Sequence, residues 1–293
     1  MRIAMSAAML VAVLPLSGGC ALDRASVRGE PGGGDDASIT EMDAEVARDA
    51  HVERDARETP RDAIVSVDAP IPPDASECAP RPPDDVLHAS PAGAIVVDGS
   101  LAEWGSARFV PVPRWIGSGS TPDPADLSAT FAMAWTEDAL FVAIEVRDDQ
   151  HHNNEMDTNG LWRGDSVQIA FDVAANAMSA GYDTTDDFEY GWGRVGVGVS
   201  SHRWTAPIGA APPVHDASVV RGGGVTIYEI RLSAGDLGLG SLAAGMRMRT
   251  SLLVNESDGG SREGFLEWAS GVGSTKDPRL FRELVLGARL CDP

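Results

Sequence analysis

Short segments that alternate apolar and polar residues fill the chain from about residue 95 onward. Residues 141–147 (FVAIEVR) place three apolar side chains on one face, and residues 166–172 (SVQIAFD) do the same, with Gln168 and Asp172 on the opposite face. This period of two residues is typical of β-strands, in which successive side chains point to opposite sides. The same alternation occurs in residues 131–135, 194–200, 226–232, 246–254 and 281–286. Helical periodicity is nearly absent, apart from a turn expected near residues 233–239, so the pattern predicts an all-β fold.

Turn residues between these segments indicate how the strands connect. Asp98-Gly99 is a tight-turn dipeptide, and Glu137-Asp138 separates two apolar runs that are expected to form a hairpin. Many short strands joined by such turns are typical of an antiparallel β-sandwich of the jelly-roll kind. About 200 residues are enough for one hydrophobic core, so we expect residues 91–293 to form a single globular domain.

The first twenty residues have a separate role. A cationic start, an apolar run at residues 5–16 and small residues before Cys20 resemble a bacterial lipoprotein signal, in which the cysteine is lipidated. The apolar run is too short to span a bilayer. We therefore expect residues 1–19 to be a signal peptide, and the exported protein to be anchored to the bacterial outer membrane or cell surface only through lipid on Cys20. An ordinary cleaved signal followed by an incidental cysteine is the alternative.

Residues 20–90 have the composition of a linker. Asp-Ala pairs recur every six or seven residues between positions 49 and 75, and prolines follow them. A coiled coil needs large apolar residues at two positions of each heptad, and here those positions hold mostly alanine. With little apolar surface to offset the loss of chain entropy, this segment is predicted to be a disordered, acidic spacer.

Charge and cysteines limit the partners and the environment. The chain has 293 residues and a formal net charge of −21, which would repel nucleic acid. In an exported protein, Cys78 and Cys291, which flank the expected domain, are predicted to form a disulfide. This disulfide would close a loop of roughly two hundred residues, which stabilises a fold by about 5 kcal/mol through the lower entropy of the unfolded chain. Two unpaired thiols are the alternative.

Four segments occur in an order that resembles family 9 of the carbohydrate-binding modules, part of the wider group of DOMON-like sandwiches. They are residues 97–104 (VDGSLAEW), 135–142 (WTEDALFV), 162–169 (WRGDSVQI) and 267–281, the last containing EW and then KDPRLF. Together they extend over about residues 90–288. The resemblance implies a DOMON-like β-sandwich that binds carbohydrate and catalyses no reaction.

A sugar ring has an apolar face and a rim of hydroxyl groups, so its site needs an aromatic platform beside polar groups. In the family, the residue that matches Trp162 stacks on sugar, and we interpret Trp162 as that platform; a packing role is the alternative. Gln168 matches a hydroxyl-binding position, and Asn255 matches a polar contact, with a turn role as its alternative. The complete set of candidate carbohydrate-binding residues is Trp162, Gln168, Asn255, Asn159, Arg163 and Lys276.

One position departs from the family pattern. Its sugar-binding members often carry a second tryptophan just before the closing element, where this chain has Thr275. Trp192 and Trp204 are the candidates to replace it. Without a second aromatic platform, binding would be weaker, directed to another ligand, or lost.

Acidic residues raise the question of a metal. Asp183, Asp186 and Asp187 form a loop whose oxygen atoms suit Ca²⁺, and the resemblance implies that some family members hold structural calcium. A solvated acidic turn is the alternative, and the sequence makes no cofactor certain. The adjacent His151 and His152 would point to opposite faces of a strand, so we do not expect them to bind one metal together.

The sequence offers no sign of catalysis, since it contains no G-x-S-x-G, H-E-x-x-H or phosphate-loop pattern. The hypothesis is a monomeric, non-catalytic lipoprotein that binds a polysaccharide or oligosaccharide and supports glycan capture or breakdown by partner enzymes. Two alternatives stay open. One is a DOMON-like carrier of haem or another ligand, with Met133, Met246 or Met248 as axial ligands. The other is a structural or adhesion protein of the cell surface.

Overall fold

The computed structural model describes residues 78, 80–83, 85–105 and 107–291, and this part of the chain is almost entirely β-structure. The expected signal peptide, Cys20 and most of the expected linker lie outside the described residues. The strands are β1 (Val86–Pro91), β2 (Val110–Pro111), β3 (Arg114–Gly117), β4 (Leu127–Trp135), β5 (Ala139–Asp148), β6 (Ser166–Asp172), β7 (Asp187–Val195), β8 (Gly198–Thr205), β9 (His215–Gly222), β10 (Val225–Ser233), β11 (Arg247–Glu256), β12 (Gly264–Glu267) and β13 (Arg282–Leu286). Short 3₁₀ turns lie at Ala102–Trp104, Thr158–Arg163, Ala234–Leu237 and Pro278–Leu280.

The strands pair in the order β8-β7-β6-β11-β13-β1-β4-β5-β10-β9, and outside this order β12 pairs with β11, β3 pairs with β12 and β2 pairs with β4. Strand β1 pairs in parallel with β13 through residues 86–89 and in parallel with β4 through Ser90 and Pro91, so it passes from one layer to the other. The other pairings in the described part of the chain are antiparallel. The predicted all-β sandwich is confirmed, with β1 as its parallel element.

The core lies between the layers and holds the apolar residues that the alternation placed inward. Ile144 on β5 and Phe131 on β4 pack in the same cluster as Ile169 on β6 and Tyr190 on β7, and all four are completely buried. Burying a side chain of this size contributes about 1.5–3 kcal/mol relative to exposure. The intervening residues of β6 and β7 therefore face away from this core, and the candidate site lies on that outer face.

One predicted strand is wrong. Residues 194–200 alternate valines with small or polar residues, but the structure places a hairpin turn between β7 and β8 within this segment. Gly196 has φ 60°, a left-handed conformation that glycine adopts without strain, and it turns the chain here. Val197 is 94% exposed at the tip, so its place in the alternation reflects no burial.

The ends of the domain are joined covalently. Cys78 and Cys291 form the predicted disulfide, with their Cα atoms 4.7 Å apart. Strand β1 follows shortly after Cys78, so the sandwich includes residues 86–90, which the sequence analysis had assigned to the linker. None of the helical segments in the described ranges has the length and apolar character that crossing a membrane would require.

Candidate functional site

A cavity of about 360 Å³ lies on the outer face of strands β6, β7 and β8. Its walls combine aromatic rings with charged and amide side chains. The lining residues are Asn159, Trp162, Gln168, Tyr182, Glu189, Trp204, Thr205, Arg262, Gly273 and Lys276. Four of the six predicted carbohydrate-binding residues are among them, so the structure brings Asn159, Trp162, Gln168 and Lys276 together.

Trp162 stands on the 3₁₀ turn Thr158–Arg163, which Asp157 caps by accepting a hydrogen bond from the Asn159 amide at 3.1 Å. The indole is partly exposed and lines the cavity, as a platform requires. Its ring has two arginine neighbours, with the guanidinium carbons of Arg163 and Arg262 5.4 and 5.6 Å from its centre. The indole is therefore accessible from the cavity and has two positively charged side chains beside it.

The loop before β6 holds this turn in place through buried hydrogen bonds. The Asn153 side chain is 3% exposed, and its Nδ2 donates to the carbonyl oxygens of Leu161 and Asp165 at 3.1 and 3.0 Å. Ser166 Oγ also donates to the Leu161 carbonyl, at 3.0 Å. Leu161 itself is completely buried, so the residue next to Trp162 anchors the turn to the core.

Trp204 on β8 supplies a second aromatic wall. Its ring lies over Gly191 of β7, where no side chain intervenes, and its Nε1 donates to the Asn159 carbonyl oxygen at 3.1 Å. Trp192, the other proposed replacement for the missing tryptophan, is completely buried in the core and does not line the cavity. Of the two candidates, Trp204 is the one placed beside Trp162.

The floor of the cavity is a buried carboxylate with two partners. Glu189 is completely buried, and its Oε1 accepts hydrogen bonds from Gln168 Nε2 at 2.8 Å and from Lys276 Nζ at 2.5 Å. Gln168 is itself 4% exposed, because the neighbouring loops cover the outer face of β6. Lys276 therefore balances the charge that Glu189 brings into this face.

Two predicted residues lie outside the cavity wall. Asn255 is buried behind Gln168, and its Nδ2 donates to Ser166 Oγ at 2.9 Å and to Gln168 Oε1 at 3.3 Å. Arg163 is exposed and pairs with Glu155 at 3.4 Å. In the structure, Asn255 positions Gln168, and Arg163 contacts the Trp162 ring without lining the cavity.

Sequence reasoning missed four polar residues of the cavity, namely Glu189, Tyr182, Arg262 and Thr205. Among the described residues, Arg262 Nη2 is a buried donor with no hydrogen-bond partner, and the buried Tyr182 Oη and Glu189 Oε2 have no partner beyond each other's side chains. Burial, and secondarily the nearby Glu189 charge, raise the pKa of the Tyr182 hydroxyl, so it stays a neutral donor. Burial lowers the pKa of Arg262 to about 10, which leaves it charged at neutral pH.

The predicted acidic loop is organised mainly by its own backbone. Asp183 accepts from the Thr185 amide at 2.7 Å, and Asp187 accepts from the Asp183 amide at 2.6 Å. The carboxylates that approach one another closely enough for a cation are those of Asp172, Asp186 and Asp187, without Asp183. Burial raises the pKa of Asp187 to about 7.

A larger acidic cluster lies where the ends of β5 and β11 meet the start of β4. Oxygen atoms of Asp148, Glu256 and Asp258 lie within 4.8 Å of one another, and so do those of Asp126, Asp149 and Asp258. Glu256 Oε2 and Asp258 Oδ1 are buried and have no hydrogen-bond partner in the described part of the chain beyond the contact between these two side chains. Several carboxylate oxygens with free lone pairs fit the preference of Ca²⁺ for oxygen ligands.

Burial makes this cluster hard to ionise. It raises the pKa of Glu256 to about 9, that of the adjacent Asp165 to about 8 and that of Asp148 to about 6. Arg221 opposes the effect at Asp148, to which it donates at 3.2 Å. A divalent cation would supply the positive charge that the protein provides only in part.

The two histidines do not act as a pair. His151 Nε2 lies 2.9 Å from the Arg194 carbonyl oxygen, and its Nδ1 lies 3.4 Å from Asp165. His152 instead contacts Asn154 and Ser257. Adjacent residues diverge here, as expected, although His151 Nδ1 does join the group formed by Asp148 and Asp165.

The methionines considered as haem ligands do not meet in a cavity. Met133 and Met248 are 1% exposed within the hydrophobic core, and the Met246 sulfur accepts from the Ala243 amide at 3.1 Å. None of the three lines the described cavity beside Trp162.

Comparisons with known proteins agree with this architecture. Residues 97–289 match a family described as carbohydrate family 9 binding domain-like. The chain is similar to the structure of a family 9 carbohydrate-binding module from Caldicellulosiruptor kristjanssonii in complex with cellotriose, and to one in complex with glucose. Each comparison has 22% identity and a TM-score of 0.55 and covers 71% of this chain and 98% of that chain. No curated protein matches the chain. At this identity the structural similarity shows a shared fold.

Proposed function

Because the chain belongs to the carbohydrate family 9 binding domain-like family, we propose that it binds a saccharide in the cavity between Trp162 and Trp204 without catalysing a reaction. The family is one of binding domains, and the related modules were solved with glucose and cellotriose. A volume of about 360 Å³ lies within the usual range of small-molecule sites, about 300–1,000 Å³.

The observation that carries this proposal is the set of free polar atoms between two indoles. Arg262 Nη2 is a donor without a partner within the described residues, and Glu189 Oε2 and Tyr182 Oη, an acceptor and a donor, have no partner there beyond each other's side chains. A buried polar atom without a partner is unfavourable by about 1–3 kcal/mol, so a ligand that satisfies it gains that energy. Sugar hydroxyls both donate and accept, and the apolar face of a sugar ring packs against an indole.

The cellular role rests on the sequence. Lipid on Cys20 would hold the protein at the outer membrane or cell surface, and the acidic segment would separate the binding domain from the membrane. There the protein would act as a monomer that captures glycans for breakdown by partner enzymes. Palmitate labelling of the wild-type chain and of Cys20→Ala tests the anchor, and label retained on the variant would contradict it.

If this chain holds a calcium ion, as some family members do, the larger acidic cluster around Glu256 is the site that suits it best. Asp148, Glu256 and Asp258 would be its ligands, with Asp126 and Asp149 close to the same position. When bound, the ion would neutralise carboxylates whose burial disfavours their charge. Asp148 ends β5 and Asp165 precedes β6, so the cluster adjoins both ends of the loop that carries Trp162.

Isothermal titration with glucose and cellotriose tests the binding site. We expect Trp162→Ala and Trp204→Ala each to weaken binding at least tenfold while the folded state persists by circular dichroism. Trp135→Ala is the matched control, because Trp135 is a partly buried tryptophan that lines a different surface groove. Unchanged binding in both cavity variants would show that saccharide binds elsewhere, and no binding of any glycan would overturn the function itself.

A further inference from the structure

Arg262 has an unusual environment for a charged side chain. It lies in the loop between β11 and β12, where its guanidinium carbon is 4.3 Å from the centre of the Phe265 ring and 5.6 Å from that of Trp162. Its Nε makes a long hydrogen bond to the Gly264 carbonyl oxygen, at 3.4 Å. Its Nη2 is buried, lines the same cavity and has no hydrogen-bond partner in the ranges that the structure describes.

In the part of the chain that the structure describes, no carboxylate forms an ion pair with Arg262. Near the cavity, Arg163 pairs with Glu155 and Lys276 pairs with Glu189, and none of the ion pairs within the described residues includes Arg262. Burial is the cause that lowers its pKa to about 10, and no neighbouring acid offsets it. In a chain with a formal net charge of −21, an arginine that meets aromatic rings rather than an acidic residue of the described ranges is conspicuous.

The charge balance of the cavity follows from these contacts. Lys276 Nζ lies 2.5 Å from Glu189 Oε1, so this pair is neutral overall. Arg262 is then the cation that the cavity wall leaves without an opposite charge. Removing a cation from water is unfavourable unless an anion replaces the hydration, and a carboxylate does this best because its hydrogen bonds to guanidinium are charge-assisted.

We infer that the cavity selects an acidic sugar, a hexuronate residue, whose ring packs on Trp162 while its carboxylate receives hydrogen bonds from Arg262. This inference rests on the proposed saccharide binding and specifies the substrate class of the same site. A neutral hexose differs from the hexuronate only at carbon 6, where a hydroxymethyl group replaces the carboxylate. The neutral sugar can satisfy Arg262 Nη2 with a hydroxyl oxygen but leaves its charge uncompensated.

Matched sugar pairs test the inference on the full chain. Glucose is compared with glucuronate, and galactose with galacturonate, by isothermal titration at constant ionic strength. We expect at least one uronate to bind tenfold or more tightly than its neutral partner, and this preference to decrease as sodium chloride rises from about 20 to about 500 mM. Sodium acetate at the same concentrations must not reproduce the binding heat, since a carboxylate alone lacks the ring.

Substitutions assign the preference to one side chain. Arg262→Gln removes the charge but keeps an amide donor, and we expect the ratio of uronate affinity to neutral-sugar affinity to fall to about one in this variant, whatever the change in glucose affinity itself. Arg262→Lys keeps the charge and should retain part of the preference. Arg163→Gln is the matched comparison, because Arg163 neighbours the same indole but pairs with Glu155 outside the cavity wall.

The outcomes separate this inference from the proposed function. If glucose binds in a Trp162-dependent manner and neither uronate binds more tightly, saccharide binding stands and selection of an acidic sugar is overturned. If Arg163→Gln rather than Arg262→Gln removes the preference, the assignment to Arg262 is wrong. If no sugar of either kind binds, both the inference and the proposed function fail.

Discussion

The indole of Trp204 lies directly against Gly191, with its Cζ3 atom 2.4 Å from the position that a Cβ atom on residue 191 would occupy. A real Cβ atom cannot approach an aromatic carbon so closely, so a side chain here would displace the ring. The glycine of β7 thus allows the tryptophan of β8 to lie flat on the outer face of the sheet, beside the cavity.

Gly191→Ala is therefore expected to act on binding through Trp204. We predict that this variant weakens saccharide binding at least tenfold in isothermal titration, as Trp204→Ala does, while its melting temperature falls by only a few degrees. Gly198→Ala is the control in the same hairpin, because the nearest atom to its added Cβ would be 3.8 Å away. Wild-type affinity in Gly191→Ala would mean that the position of the Trp204 ring is unimportant for binding.

The pair formed by Glu189 and Lys276 predicts an asymmetric response to substitution. The Glu189 side chain is 1% exposed and that of Lys276 is 46% exposed. Losing the partner is therefore more unfavourable for the buried carboxylate than for the ammonium group. Lys276→Met leaves a carboxylate buried without its cation, and we expect a loss of about 3 kcal/mol in the free energy of unfolding.

Glu189→Gln, by contrast, leaves an ammonium group that water can reach, and its amide can still contact Gln168. We expect this variant to lose clearly less stability than Lys276→Met in urea unfolding, yet to bind saccharide more weakly because the free acceptor Oε2 is gone. An equal loss in both variants, or a larger one in Glu189→Gln, would contradict the unequal burial of the two charges.

The strands could be predicted because their pattern is local. In residues 141–147 and 166–172, each apolar side chain follows the previous one at a spacing of two, and burial of one face produces that spacing. The same reasoning failed at residues 194–200, because a hairpin turn with glycines on both sides of Val197 also yields alternating valines. Periodicity alone does not distinguish a buried face from a sequence of small turn residues.

The site was predictable mainly where the motifs of the family carry it. Trp162 and Gln168 share one motif of the family, and the structure places both at the cavity. Trp204 and Glu189 reach it through the pairing of β6, β7 and β8, which no local pattern specifies. Glu189 lies between the buried Phe188 and Tyr190 on a strand that the sequence patterns did not indicate, so neither its outward direction nor its partners could be predicted.

The position of Arg262 in the cavity could not be predicted from the sequence, for a different reason. It lies in a glycine-rich loop with no periodicity, and its environment depends on the ring of Trp162, from a distant segment, as well as on that of the nearby Phe265. An arginine in such a loop would ordinarily be assigned to the solvent. Its missing partner becomes visible only when the three-dimensional contacts are known.

The disulfide between Cys78 and Cys291 predicts a large effect on stability. It closes a loop with a sequence separation of 213 residues, and a loop of that length favours the folded state by about 5 kcal/mol through the lower entropy of the unfolded chain. We expect the double variant Cys78→Ser, Cys291→Ser to unfold at a clearly lower urea concentration than the oxidised protein. A reducing agent should lower the wild-type midpoint and leave that of the variant unchanged; equal midpoints without reductant would refute the contribution.

The acidic cluster around Glu256 predicts how stability depends on pH when calcium is removed. Burial raises the pKa of Asp148, Asp165 and Glu256 to about 6, 8 and 9, above the values of about 4 expected in the unfolded chain. The folded state therefore holds these protons more tightly than the unfolded state. The stability that they contribute is complete below pH 4 and is lost as the pH rises through about 6 to 9.

In excess chelator, the melting temperature is thus expected to fall between pH 5 and pH 9. Calcium should raise it strongly at pH 8 to 9, where the cluster must ionise, and weakly at pH 5, where protons already neutralise it. Glu256→Gln removes one ionisable group and a possible ligand, so both the pH slope and the effect of calcium should shrink. Differential scanning fluorimetry over this range measures all three quantities. A melting temperature that rises with pH in chelator, or a calcium effect of equal size at pH 5 and pH 9, would show that the buried carboxylates do not behave as a cation site.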